Sequence, residues 1–181
     1  ALVTTNWQTQ KIAKGIVWKQ SMFKGNLFGS NQSINILEIE KSKNIGISIG
    51  YDTKELKPTS EFGKESRALA ALNGTFFDIK NDGSVDFIKA EGKMVQSNRL
   101  ADGKRTFHQK AAVLISRGKL KLAKWNGKDD WETKLHADEI MVSGPLLVLK
   151  KKPEALDSIS FNTTRHPRTA VVLTNSNKIL F

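Results

Sequence analysis

A chain of 181 residues, 39 % apolar and free of cysteine, is long enough for one main core and cannot use disulfides, thiol catalysis or thiolate metal ligands. Its formal charge of +11 favours anionic partners, and no stretch reaches the about 20 consecutive apolar residues that a transmembrane helix needs. The lysines are scattered apart from Lys150-Lys151-Lys152, and no basic stripe interleaved with aromatics is present, so nucleic acid is not the expected partner.

In chain order, "SINILEIE" (33–40) is a dense apolar run that predicts a strand packed on both sides. "NIGISIG" (44–50) alternates, placing Ile45, Ile47 and Ile49 on one face of a second strand. "PTSEFGKESRALAALNG" (58–74) predicts a helix. Pro58-Thr59-Ser60 supply start chemistry, Glu61 sits in the first turn, and Phe62, Leu69 and Leu72 share a face. Polar clusters at 81–84 and 126–130 predict turns. "KAAVLISRGKLKLAKW" (110–125) reads as a hairpin turning on Arg117-Gly118. "DEIMVSGPLLVLKKK" (138–152) holds two apolar segments broken by Ser143-Gly144-Pro145, and "RTAVVLTNSNKILF" (168–181) reads as a hairpin turning at Asn175-Ser176-Asn177. Together these predict one α+β domain over residues 1–181, a mixed and largely antiparallel sheet packed with a few helices. The final strand stops on Phe181 without a polar tail, from which either a further section of the domain or a natural C-terminal edge strand is expected.

Three stretches carry candidate chemistry. In "ALNGTFFD" (71–78), an amide and a glycine interrupt an apolar run; Gly74 permits a close ligand approach, Asn73 offers two donors and an acceptor, and Asp78 adds a carboxylate. The bland alternative is a glycine bulge with Asn73 bonded to neighbouring backbone. In "NTTRHPRTAVVLT" (162–174), Arg165, His166 and Arg168 surround Pro167 at the mouth of a strand. Guanidinium forks suit phosphate, and an imidazole can move a proton near neutral pH. Alternation lets His166 and Arg168 point together while Arg165 points away; an exposed basic turn is the alternative. In "MVSGPLLV" (141–148), Ser143-Gly144 could present backbone N–H groups to an anion or simply join two strands. His108 and His136 read as surface or satisfied core residues, and no histidine metal spacing occurs. No cofactor is expected; Asp78, Asp82 and Asp86 leave a carboxylate-bound divalent cation open.

Taken in order, "NGTFFD", "SGPLLV" and "RHPRTAVVLT" resemble the Asn-Gly-Gly-Phe-Phe-like, Ser-Gly-Pro-x-Leu-like and His-Pro-Arg-Thr-Ala-like segments of the phosphodiester glycosidase family, over about Thr59 to Thr174. The resemblance implies hydrolysis of a sugar-1-phosphodiester or related glycosidic bond in a glycan or cell-envelope polymer. It also implies a location outside the cytosol, whether periplasmic, cell-surface or secreted. By this carry-over Asn73 and Gly74 belong to the site, Arg168 is the phosphate ligand, and Ser143 and Gly144 line the same cleft. Thr75, Arg165 and Thr169 complete the substrate-side set, with His166 and Asp78 as physical candidates for proton transfer. Thr75 stands where the pattern has its second glycine, and Val172 where a glycine often follows Ala-Val. The family's later Asp-Gly-Arg and Asp-Gly-Gly-Gly-Ser-like segments do not occur in these residues, so a separate C-terminal fragment is an expected partner. A non-catalytic module binding anionic glycans or cell-wall polymers is the other reading of the same residues.

Overall fold

The computed structural model describes residues 6–42, 44–53 and 55–181. Among them the order is β1 (Gln8–Ala13), β2 (Ile16–Leu27), β3 (Ser30–Glu40), α1 (Thr59–Glu65), β4 (Ile88–Ala90), β5 (Lys93–Gln96), β6 (Ala111–Ser116), β7 (Lys119–Lys124), β8 (Glu139–Val142), β9 (Val148–Leu149), β10 (Lys152–Pro153), α2 (Ser160–Thr163), β11 (Val172–Leu173) and β12 (Lys178–Leu180). Short 3₁₀ turns cover Phe107–Lys110 and Glu132–Lys134. Strand makes up 37 % and helix 10 %, so the architecture is more sheet-dominated than the expected α+β mix. Among the described residues every strand pairing is antiparallel, where a mixed, largely antiparallel sheet was expected.

The chain forms two compact units, residues 1–45 with 169–181 and residues 46–168. The first is a five-stranded sheet in the order β1-β2-β3-β12-β11. Its two-residue β2–β3 loop, Phe28-Gly29, has φ of 52° and 62°, the left-handed pair that matches strand twist in a tight hairpin. Ile16, Phe23, Ile39 and Ile179 bury their side chains, each worth about 1.5–3 kcal/mol by transfer. Glu38 on β3 accepts from Lys178 and from Lys19 at 2.8 Å, and these cations, Lys178 first, hold its carboxyl below the usual range. β3 follows its sequence, yet burial alternates through Asn35, so only Ile36–Ile39 are covered on both sides. The expected C-terminal hairpin forms as β11–β12, with Val172 opposite Leu180.

The second unit is built on a sheet in the order β5-β4-β8-β6-β7. The β6–β7 hairpin turns on Arg117-Gly118 as the sequence implied, with φ of 50° and 69° and Ser116 paired to Lys119. β8 lies between β4 and β6, and its Ile140 and Val142 are fully buried with Phe87, Ala112, Trp131 and Ala137.

Two expectations change. Ile45, Ile47 and Ile49 are partly buried and their neighbours at 46, 48 and 50 exposed, but 44–50 joins no sheet. Its Ile49 N–H donates instead to the Glu139 carboxylate at 2.7 Å, so the alternation reports burial without a ladder. The helix starts where expected but ends at Glu65. There the Ser66 hydroxyl donates back to Phe62 O at 2.6 Å and Arg67 takes a left-handed φ of 51°. Leu69 and Leu72 therefore lie beyond the helix, exposed, rather than on a face shared with Phe62.

Candidate active site

The 73–78 stretch lies outside the named strands, bends at Thr75, makes an isolated antiparallel bridge from Phe77 to Ser84, and passes beside the end of β8. Thr75 fixes it. Its hydroxyl lies 2.8 Å from Asp86 Oδ2 and 3.1 Å from the carbonyl of Val142, the last residue of β8. One turn-off residue later, the Ser143 hydroxyl donates to Gly74 O at 3.3 Å. A Cβ on Gly74 would stand 2.5 Å from Met141 Sδ, so a side chain there would displace Met141. A Cβ on Gly144 would meet the carbonyls of His108 and Phe107 at 3.2 and 3.3 Å, which are backbone and yield less easily. The first and second candidate stretches thus touch directly.

The third reaches them through aromatic rings. Phe76 stacks on the His108 imidazole, centroids 4.3 Å apart, and meets the Phe161 ring edge-on at 5.4 Å. Phe107 lies 4.9 Å from Phe161. Beyond Phe161, the His166 ring stacks at 6.1 Å and 14°, and the Arg168 guanidinium carbon sits 4.3 Å over the ring face. Arg168 Nη2 also donates to the carbonyls of Phe161 and, at 3.0 Å, Thr164. The Thr164 hydroxyl is 2.5 Å from His166 Nε2. His166 and Arg168 therefore both lie against Phe161, and both are exposed.

Asn73 and Arg165 are exposed, and neither side chain is without a partner. Asp78 anchors its own turn. It accepts from the N–H groups of Lys80 (2.9 Å) and Asn81 (3.2 Å), the Asn81 side-chain amide (2.7 Å) and Arg99 Nη1 (2.7 Å). These donors, the Asn81 amide first, lower its pKa to about 2, so the carboxylate is ionised throughout neutral pH. Thr169 opens the C-terminal stretch of the first unit. Among the described residues, no three histidine, aspartate or glutamate side chains gather as a metal site, and no helix is long and apolar enough to cross a membrane. A hollow of about 440 Å³ lies elsewhere in the second unit, lined by Lys89, Ser116, Arg117 and His136 among others, with none of the three stretches on its wall.

A family model for phosphodiester glycosidases matches residues 66–181, which is well over half of the chain and includes all three stretches. The chain belongs to the phosphodiester glycosidase family. Comparison with curated proteins finds no match, and neither does comparison with solved structures. In this member of the family, the sequence marked Asp86 only as a possible cation ligand and His108 as a surface or satisfied core residue, and their pairing was not readable. Asp86, with no exposed surface, accepts from His108 Nδ1 at 2.8 Å, and His108 Nε2 faces the Thr106 hydroxyl at 2.8 Å. The available signal was "SVDF": a carboxylate between Val85 and Phe87 in a buried strand approach needs a partner. Nothing in the sequence says that the partner lies 22 residues away.

Proposed function

We propose that this phosphodiester glycosidase family member hydrolyses a sugar-1-phosphodiester, or a related glycosidic bond, in a glycan or cell-envelope polymer outside the cytosol. The observation that carries this reading is the packing of Phe76, Phe107 and Phe161 within the second unit, with the contact between Gly74 and Ser143 at one end and His166 and Arg168 against Phe161 at the other.

The chemistry follows charge. Water adds to the anomeric carbon and releases one proton to solvent, the C1–O bond breaks, and the leaving oxygen departs with the phosphate. The transition state carries oxocarbenium character on the sugar and growing negative charge on that oxygen. Arg168, held over Phe161, is the phosphate ligand, with Arg165 adding positive potential. His166, beside Arg168 on the same platform, is the proton donor to the leaving oxygen. Asp78 is ionised and already bound by four donors, which suits electrostatic support of the cationic sugar better than proton donation. Asn73, Gly74, Thr75, Ser143 and Gly144 form the substrate-side wall, polar groups on exposed or half-exposed backbone.

The test is product analysis on a sugar-1-phosphodiester. Free reducing sugar and a phosphomonoester in equal amounts support hydrolysis. Binding without release, at a saturating site competed by sugar phosphate, would instead support the glycan-binding module.

A further inference from the structure

We infer that Asp86 and His108 are positioning residues that hold all three candidate stretches in one arrangement. The inference rests on the proposed hydrolysis for its catalytic consequence alone.

A carboxylate with no exposed surface is costly unless its oxygens are bonded. Asp86 meets that need with two donors, His108 Nδ1 at 2.8 and 2.9 Å to its two oxygens and the Thr75 hydroxyl at 2.8 Å. With the carboxylate as acceptor, Nδ1 carries the hydrogen and Nε2 takes the Thr106 hydroxyl. Both ring nitrogens are thereby used, which fixes the ring plane. No atom of the pair is left for a substrate, so its effect must pass through what it touches.

It touches three things. The Thr75 hydroxyl donates to Asp86, and the neighbouring Gly74 carbonyl accepts from the Ser143 hydroxyl, so the first stretch is tied both to the carboxylate and to the approach to Ser143. Gly144 packs on the His108 carbonyl, closely enough that a Cβ would reach 3.2 Å. The His108 ring supports Phe76, and Phe76 supports Phe161, which carries His166 and Arg168. A core pair with only local work would need none of these connections.

Backbone amide exchange, followed by mass spectrometry on the whole chain, tests this without any substrate. His108→Phe keeps a ring against Phe76 but removes the donor to Asp86. Exchange is expected to rise about tenfold or more in 73–77, 142–146 and 160–168 together, with the β6–β7 hairpin unchanged as an internal standard. Asp86→Asn keeps one acceptor for Nδ1–H but sets its amide N–H groups 2.9 Å from that same donor, so a smaller rise is expected in the same three segments. Thr75→Val cuts one connection only, so the rise is expected in 73–77 and 142–146 and not in 160–168; this variant decides the matter if His108→Phe does not fold. A rise confined to 106–110, or one spread equally through β6–β7, would overturn the inference. On a sugar-1-phosphodiester, His108→Phe is expected to lower kcat with KM little changed, because a disordered platform loses alignment before it loses binding. If no diester is turned over by the wild type, the proposed reaction fails and the exchange pattern still decides the positioning role.

Discussion

Replacing Thr75 by valine removes one hydroxyl while keeping the branched shape. The lost bond is the 2.8 Å contact to Asp86 Oδ2; the same hydrogen cannot also serve Val142 O at 3.1 Å, so one bond is counted, not two. Its acceptor is fully buried, and leaving a buried acceptor without its donor costs about 1–3 kcal/mol. In a chain of this size each kcal/mol moves the melting point by about 2–4 °C, so a fall of about 2–12 °C is expected. The assay is thermal melting by near-ultraviolet circular dichroism, to which Trp125 and Trp131 beside the second core contribute. Thr75→Ser restores the hydroxyl and is expected to recover most of the loss. A valine variant melting within a degree of wild type, or a serine variant as unstable as the valine one, would refute the claim that this hydroxyl ties the stretch to Asp86.

Asp78 sets a pH dependence. Its pKa falls from 3.8 to about 2 on folding, so its stabilising contribution is complete above the unfolded value and is lost as pH drops through that window. The urea midpoint of wild type is expected to fall more steeply than that of Asp78→Asn between pH 4 and 2; parallel profiles would contradict the bonding of this carboxylate. Ile140, with no exposed surface, anchors the core of the second unit. Ile140→Ala is expected to cost about 2–5 kcal/mol in chemical unfolding, against an expectation below 1 kcal/mol if the site were loosely packed.

Much of the fold was legible because local signals sufficed. Arg117-Gly118 between alternating apolar runs specified a two-residue hairpin, and Asn175-Ser176-Asn177 did the same for β11–β12. The failures have physical causes. The alternation of Ile45, Ile47 and Ile49 gave the right burial and the wrong pairing, because side-chain period does not report where the backbone N–H groups go. The helix ran too long on paper because a serine bonding back to Phe62 and a left-handed Arg67 were not visible in the apolar spacing of Leu69 and Leu72.

For the candidate site, the ordered stretches around Asn73, Ser143 and His166 were readable as the segments that the family model spans. What joins them was not. Phe161 carried no signal in the sequence, and His108 read as a surface or satisfied core residue. Their roles come from contacts between residues far apart in sequence, which no local pattern encodes.

The most direct test of the whole proposal is the rate at which Arg168→Ala releases sugar from a sugar-1-phosphodiester, compared with wild type. Removing one preorganised contact to a developing negative charge is expected to lower kcat/KM by about 10²–10³. Arg168 also packs over Phe161 and donates to the carbonyls of Phe161 and Thr164, so a modest fall in melting point is expected and the rates are compared at a temperature where both proteins are folded. A folded Arg168→Ala protein turning over the diester within a few-fold of wild type would contradict the assignment of the phosphate to this guanidinium.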